Sequence, residues 1–232
     1  MNILAIETTG HAASVAIVCP DRIIAEHSIS NQLTHSQVLL PMIDNMLTTA
    51  GFDKRDINLV ACSSGPGSFT GLRIGAAAAK GLAFGLGIKI VPVATLDALA
   101  YNVSYRAGAI VPIMDARRDQ VYTAVYACHN GKIQQKTDYL ACDMDYILAE
   151  AAKTGENVMF LGDGVAVHHQ KIAAHGFCTA PATHMLQRAA SVGAIALKNT
   201  HHAVAPRDFA PFYIRLSQAE RERDCRPKKE TI

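Results

Sequence analysis

The sequence has 232 residues, no tryptophan, and only 6% aromatic residues. Neither charge sign dominates: 22 lysines and arginines stand against 20 aspartates and glutamates, a formal net charge of +2. Such a balance lacks the basic excess that marks most nucleic-acid and membrane-surface binders. There are six cysteines (Cys19, Cys62, Cys128, Cys142, Cys178 and Cys225) but no CxxC pair, which excludes the common zinc and redox spacings. Cys19 and Cys62 each end an apolar run, so they read as core or near-core thiols of a reducing compartment. No apolar stretch is long and uncharged enough to span a bilayer. No basic region precedes the apolar residues of Met1-Asn2-Ile3-Leu4, so no signal peptide is expected and a cytoplasmic location follows.

Half of the residues are hydrophobic, ample for a buried core. The chain is organised around Ser63-Ser64-Gly65-Pro66-Gly67-Ser68-Phe69-Thr70-Gly71-Leu72-Arg73-Ile74-Gly75. An apolar run, Leu59 to Cys62, leads into it as a buried strand. Leu72 to Leu86, with only Arg73 and Lys80 charged, leads out as a helix. A glycine-rich strand-to-helix turn permits positive φ and close backbone approach, and its helix N-terminus can hold an anion. The stretch nevertheless lacks the last glycine of GxGxxG and the Lys-Ser/Thr pair of a P-loop. A tight structural turn and an anion cradle read equally well from these residues.

Around this turn the chain repeats an architecture. Ile3 to Glu7, Ser14 to Val18 and Ile23 to Ser30 read as a three-strand meander, followed by a helix that Thr34 caps and Gly51 stops. Pro41 inside that helix is expected to kink it or remove one hydrogen bond. A strand over Ile88 to Val93 follows, then a short helix capped by Thr95. Ile110 to Asp115 is again an apolar run ending on a carboxylate. Gln120 to Ala127 alternates as a strand, Asn130-Gly131 signals a hairpin, and Lys132 to Leu140 returns. A helix from Asp143 to Lys153 and a strand from Val158 to Leu161 lead to Gly162-Asp163-Gly164, which follows its strand as Gly65-Pro66-Gly67 follows its own. Met185 to Lys198 reads as an amphipathic helix able to reach back to the first half. The charged tail, Glu220 to Lys229, reads as a solvated end. The expected division is a first lobe of residues 1–105 and a second of 106–232.

Two meander-plus-helix lobes, each with an acidic residue ending its first strand, resemble the actin/Hsp70/sugar-kinase superfamily. The expected fold class is therefore α/β, two-lobed and ribonuclease H-like, each lobe a mixed sheet with helices. Within that superfamily the chain resembles the TsaB (YeaZ) family. The residues that carry the likeness are Ile3 to Thr9, His35-Ser36-Gln37 with Leu39-Leu40-Pro41, the Gly65 to Gly75 stretch, Asp115-Ala116-Arg117 with Val121-Tyr122, and Pro211 to Arg215.

The resemblance implies a non-catalytic scaffold that activates threonylcarbamoyl transfer to the tRNA adenosine next to the anticodon. It implies TsaD as catalytic partner, the ATPase TsaE recruited through the complex, tRNA reached only indirectly, and no cofactor; a homodimer when alone is expected from the apolar face of the first two helices, which an isologous two-fold contact would cover. TsaD's HxxxH metal pair would fall at Thr95 and Leu99, which cannot serve as that pair. Neither His168-His169 nor His201-His202 has metal-pair spacing on a helix. Glu7, Thr8, Thr9, Ser14 and Asp115 are the vestigial nucleotide contacts the superfamily suggests; Glu7 and Asp115 read equally as structural strand-end carboxylates. His35, Val38, Leu39, Met42, Ile43 and Met46 on the first helix, with Leu72, Gly75, Ala78 and Ala79 on the second, are the expected partner-binding residues. They give more apolar and small surface than one core-facing stripe requires. The alternative from another class is an independent ATP-dependent kinase or transferase of the same fold.

Overall fold

The computed structural model describes residues 1–215 apart from Gln32 and Glu156. The charged tail expected at Glu220 to Lys229 lies outside the described residues. The first lobe contains β1 (Ile3–Glu7), β2 (Ala13–Cys19), β3 (Arg22–Ile29), α1 (His35–Thr49), β4 (Leu59–Gly65), α2 (Phe69–Leu86), β5 (Lys89–Ala94) and α3 (Thr95–Tyr101). The second contains β6 (Gly108–Asp115), β7 (Gln120–Thr123), β8 (Tyr126–His129), β9 (Lys132–Gln135), β10 (Leu140–Asp143), α4 (Met144–Ala152), β11 (Val158–Leu161), α5 (Gly164–Ala174), β12 (Cys178–Thr179), α6 (Ala182–Met185) and α7 (Ala189–Lys198). The sheets share one plan. The first runs β3-β2-β1-β4-β5 and the second β10-β7-β6-β11-β12. β1 pairs antiparallel with β2 and parallel with β4, as β6 pairs antiparallel with β7 and parallel with β11; β8 also pairs with β6, and β9 with β8. The two-lobed α/β expectation holds.

Strand alternation sorts the core of the first lobe. Leu4, Ile6, Val15 and Ile17 pack on one face against Leu39, Ile43 and Met46 of α1 and Ala76, Ala79 and Ala83 of α2. Ile3, Ala5, Ala16 and Val18 pack on the other against Ala189, Ala190, Val192 and Ala196 of α7. In the second lobe Val111, Ile113 and Val121 meet α4 and α5, while Ile110, Met114 and Leu161 meet Leu96, Leu99 and Ala100 of α3. Each lobe thus ends in a helix that covers the other lobe's sheet, and α3 and α7 pack together. Helix α7 is fastened to the first lobe by polar bonds too. Ser14 Oγ accepts the Ala189 N–H at 3.0 Å, and Glu26 accepts the Ala190 N–H at 3.1 Å and pairs with Arg188. A carboxylate at a helix N-terminus is favoured by the helix dipole.

Several boundaries differ from expectation. The strand foreseen over Gln120 to Ala127 is broken between β7 and β8. Its return strand is broken between β9 and β10. The breaks are bonded across: the Val125 N–H donates to Thr137 Oγ1 at 3.0 Å and the Lys136 N–H to Val125 O at 2.8 Å. The helix foreseen from Met185 starts only at Ala189. Asn102 Nδ2 donates to the carbonyls of His184 and Leu186, at 3.1 and 2.8 Å, and holds the intervening segment out of the helix. Ala94, not Thr95, is the N-cap of α3, and Thr95 is its first helical residue. Thr34 does cap α1, where its N–H donates to Gln37 Oε1 at 3.1 Å, and α1 continues through Pro41. Among the described residues no helix is long and apolar enough to cross a membrane.

Candidate functional site

The lobes meet at a cleft of about 510 Å³. Thr9, Gly10, His11 and the turn Pro66 to Thr70 form its first-lobe wall. Met114 to Arg117, Tyr122 and Asp163 form the second-lobe wall, and Phe212 to Arg215 close a third side.

The glycine turn has a specific reason for its glycines. A Cβ on Gly71 would overlap the Thr8 carbonyl oxygen, and one on Gly75 the Thr8 hydroxyl. Thr8 Oγ1 in turn donates to Gly71 O at 2.8 Å. Gly65 has φ +124°, and a Cβ there would overlap the carbonyl oxygen of Phe212. The Phe212 N–H donates to Ser64 O at 2.8 Å. The Ser68 N–H donates to Thr9 O at 2.8 Å, while Ser68 Oγ caps α2 by accepting the Gly71 N–H at 3.3 Å. The turn therefore spends much of its hydrogen-bonding capacity within the protein.

The five residues named as nucleotide contacts separate in the structure. Glu7 is fully buried. It accepts the Thr9 N–H at 2.6 Å, the Thr9 hydroxyl at 2.5 Å and the Ser63 hydroxyl. Burial raises its pKa above the ordinary value, against the lowering effect of those bonds. Thr8 is engaged with α2, and the Ser14 hydroxyl shares a 2.8 Å bond with Ser28 while it anchors α7. Only Thr9 and Asp115 reach the cleft. Asp115 Oδ1 accepts the Arg117 N–H at 2.8 Å.

The site also contains residues that sequence reasoning did not assign. Asp163 Oδ1 accepts the Asp115 N–H at 3.2 Å, and burial raises its pKa, with His11 opposing that rise. Arg117, Arg118 and Asp119 all have positive φ, at 62°, 57° and 60°, an uncommon run for residues other than glycine. Asp119 is held by Lys171 Nζ at 2.8 Å. Phe212 stacks on Tyr139, and Tyr213 meets Phe69 with ring centroids 4.9 Å apart. The signal that could have found Asp163 is the matching of Gly162-Asp163-Gly164 with the first glycine turn.

The residues expected at a partner surface divide as well. Val38, Leu39, Ile43, Met46, Leu72, Gly75 and Ala79 are buried in the first lobe's own core, because the apolar stripe of each helix faces the sheet. Met42 and Ala78 are half-buried, and His35 is half-buried with Nε2 2.9 Å from Gly10 O. The outward strip of α2 is Ala77, Gly81, Phe84 and Gly85, with Phe84 82% exposed; Leu40 of α1 is also exposed. Thr95 and Leu99 are fully buried. Among the described residues no group of three or more His, Cys, Asp or Glu is placed to hold a metal ion.

The paired sheets, the exchanged helices and the cleft define a protein of the two-lobed actin/Hsp70-like class. The family described as "TsaD: tRNA N6-adenosine threonylcarbamoyltransferase" matches residues 22–222. The tRNA threonylcarbamoyladenosine biosynthesis protein TsaB of Bacillus subtilis is 33% identical over 95% of this chain and 96% of its own length. The Escherichia coli protein of the same name is 41% identical over 54% of this chain and 55% of its own. The solved structure of YeaZ from Pseudomonas aeruginosa superposes with a TM-score of 0.76 over 92% of this chain and 99% of its own, at 24% identity. The chain belongs to the TsaD-related family, on its TsaB (YeaZ) branch.

Proposed function

We propose that the chain acts in tRNA threonylcarbamoyladenosine biosynthesis as a non-catalytic scaffold that binds TsaD and helps recruit TsaE. The observation that carries the non-catalytic part is the state of Thr95 and Leu99. At the positions that the resemblance assigns to TsaD's metal pair, this chain has a threonine and a leucine packed in its interior, with neither the donor atoms nor the access that metal-assisted transfer needs. The kinase or transferase alternative is disfavoured because Glu7, Thr8 and Ser14 are occupied by internal bonds.

The docking surface we assign is the outward side of α1 and α2. Gly81 and Gly85 are exposed on α2, Gly85 in its last turn, and a Cβ on either would meet nothing within 4 Å. Each costs helix stability with no internal packing in return, whereas a partner helix could approach closely there. Phe84 beside them supplies apolar area. The free chain would cover this face by pairing with itself about a two-fold axis, and TsaD would displace the copy.

The test is reconstitution of threonylcarbamoyl transfer from purified TsaD, TsaE and their remaining partners, with and without this chain. Phe84→Asp should abolish self-association and TsaD binding while circular dichroism stays native. Mg-ATP turnover by the isolated chain, or full transfer without it, would refute the scaffold reading.

A further inference from the structure

We propose that the mouth of the interlobe cleft is a binding site for a single-stranded stretch of RNA. The choice of RNA rests on the reading that places the chain in tRNA modification. It goes beyond that reading by making RNA a direct ligand of this chain as well as of its partner.

Three observations carry it. The first is a ladder of planar groups at the mouth. The Arg73 guanidinium lies 3.9 Å from the Phe69 ring centroid, and Phe69 meets Tyr213, which is 40% exposed. Unstacked bases bind on such aromatic and guanidinium planes irrespective of sequence. The second is the distribution of charge. Arg117 and Arg215 line the cleft, exposed and half-buried respectively, and the exposed Arg73 lies over the cleft-lining Phe69, while Asp119 is engaged by Lys171. Guanidinium forks suit phosphate oxygens. Asp115 and Asp163 lie in the same cleft. Their carboxylates disfavour a phosphate there and can accept hydrogen bonds from base amino groups. A polymer that keeps its phosphates at the rim and turns a base inward matches this arrangement. The third is the backbone at Arg117 to Asp119. A run of left-handed residues is costly, and it persists here because Asp119 is bonded to Lys171 and the Arg117 N–H to Asp115. Its result is to place the exposed Arg117 on the cleft wall.

The net charge of the whole chain gives no hint of this site, because it sums over all 22 lysines and arginines and says nothing of where Arg73, Arg117 and Arg215 lie. The cleft volume of about 510 Å³ suits one nucleotide and not a duplex.

The experiment titrates the full chain, alone and in complex with TsaD, into a labelled anticodon stem-loop, a single-stranded oligoribonucleotide and a duplex of the same sequence, with ATP as competitor. Stem-loop and single strand should bind better than duplex, and binding should weaken with salt. Tyr213→Ala should weaken it roughly fivefold or more. Arg117→Gln should weaken it and lower the salt slope by about 0.7. Neither should alter TsaD binding, which separates failure of this site from failure of the scaffold reading. Photo-crosslinking should map to the peptide containing Tyr213, a readout that needs no variant. Equal affinity for duplex, unchanged binding by both variants, or displacement of RNA by equimolar ATP would overturn the proposal; the last would assign the mouth to free nucleotide instead.

Discussion

The two lobes are built to one plan and differ in how rigidly they carry it out. Both place a positive-φ glycine at the end of the strand that pairs parallel with the first: Gly65 at φ +124° and Gly162 at φ +109°. Both have a glycine at the turn whose added Cβ would collide with a first-strand carbonyl: Thr8 O for Gly71, just past the end of β1, and Ile113 O for Gly162. The first lobe completes the plan with unbroken strands of 5 to 8 residues. The second breaks its meander into strands of 4 residues after β6. The lesson is that the strand-to-helix junctions define this architecture more strictly than strand continuity does. A junction fixes where backbone meets backbone, whereas a broken strand can recover its bonds through Thr137 and Lys136.

The comparison breaks most visibly at the junctions. Gly71→Ala and Gly162→Ala should each cost about 3 kcal/mol or more, or leave no soluble protein, since the obstacle is backbone and cannot rotate away. Urea denaturation of the two variants side by side is the check, and tolerance of either would show that its junction is less strict than its counterpart.

A smaller loss is expected where the lobes exchange helices. Gly193 of α7 faces Val18, whose Cγ2 would lie 2.6 Å from an added Cβ. Because that obstacle is a side chain, Gly193→Ala should cost about 1–3 kcal/mol. It should loosen α7 from the first sheet, seen as faster amide exchange in β1 and β2 than in β6.

The carboxylates at the two first-strand ends differ in burial, Glu7 being fully buried and Asp115 exposed, and the buried one predicts a response to pH. Burial raises the Glu7 pKa above its usual 4.5, so the folded chain holds that proton more tightly than the unfolded one. The Glu7 contribution to stability is therefore full at lower pH and is lost as pH rises from about 4.5 through the folded value. Glu7→Gln should flatten this part of the stability–pH curve. Equal slopes in wild type and Glu7→Gln would remove the burial argument.

The smallest effect separates inner from outer glycines. Gly85→Ala should stabilise the free chain by about 0.5–1 kcal/mol, because nothing opposes the new methyl group and the helix gains propensity. It should at the same time weaken self-association, as read by sedimentation. Stabilisation with assembly unchanged would show that the outward strip of α2 is not the docking face.

Much of the fold was legible in residue order. The apolar runs ending at Glu7 and Asp115 marked the first strands of both lobes, and Gly65 to Gly75 marked the junction into α2, because these signals are local: strand alternation, turn chemistry and a helix cap. The candidate site was legible only in part. Thr9 and Asp115 do face the cleft. Glu7, Thr8 and Ser14 have the right chemistry for phosphate but spend it on Thr9 and Ser63, on Gly71, and on Ser28 and Ala189. Val38 and Leu39 looked like surplus apolar surface and are core, since a helix pattern alone does not say how wide a stripe the sheet will cover.

By itself the sequence determined what short-range physics decides: the two meanders, the glycines that backbone contact requires, and the Thr34 cap on α1. The return of α7 to the first lobe was expected from its pattern, but tertiary structure alone decided that α3 covers the second lobe's sheet. It also decided that Asp163, Phe212 and Tyr213 share one cleft with Thr9, and that Arg73, Arg117 and Arg215 gather at its mouth. Those facts depend on contacts between residues far apart in the chain, where no local periodicity or spacing carries the information.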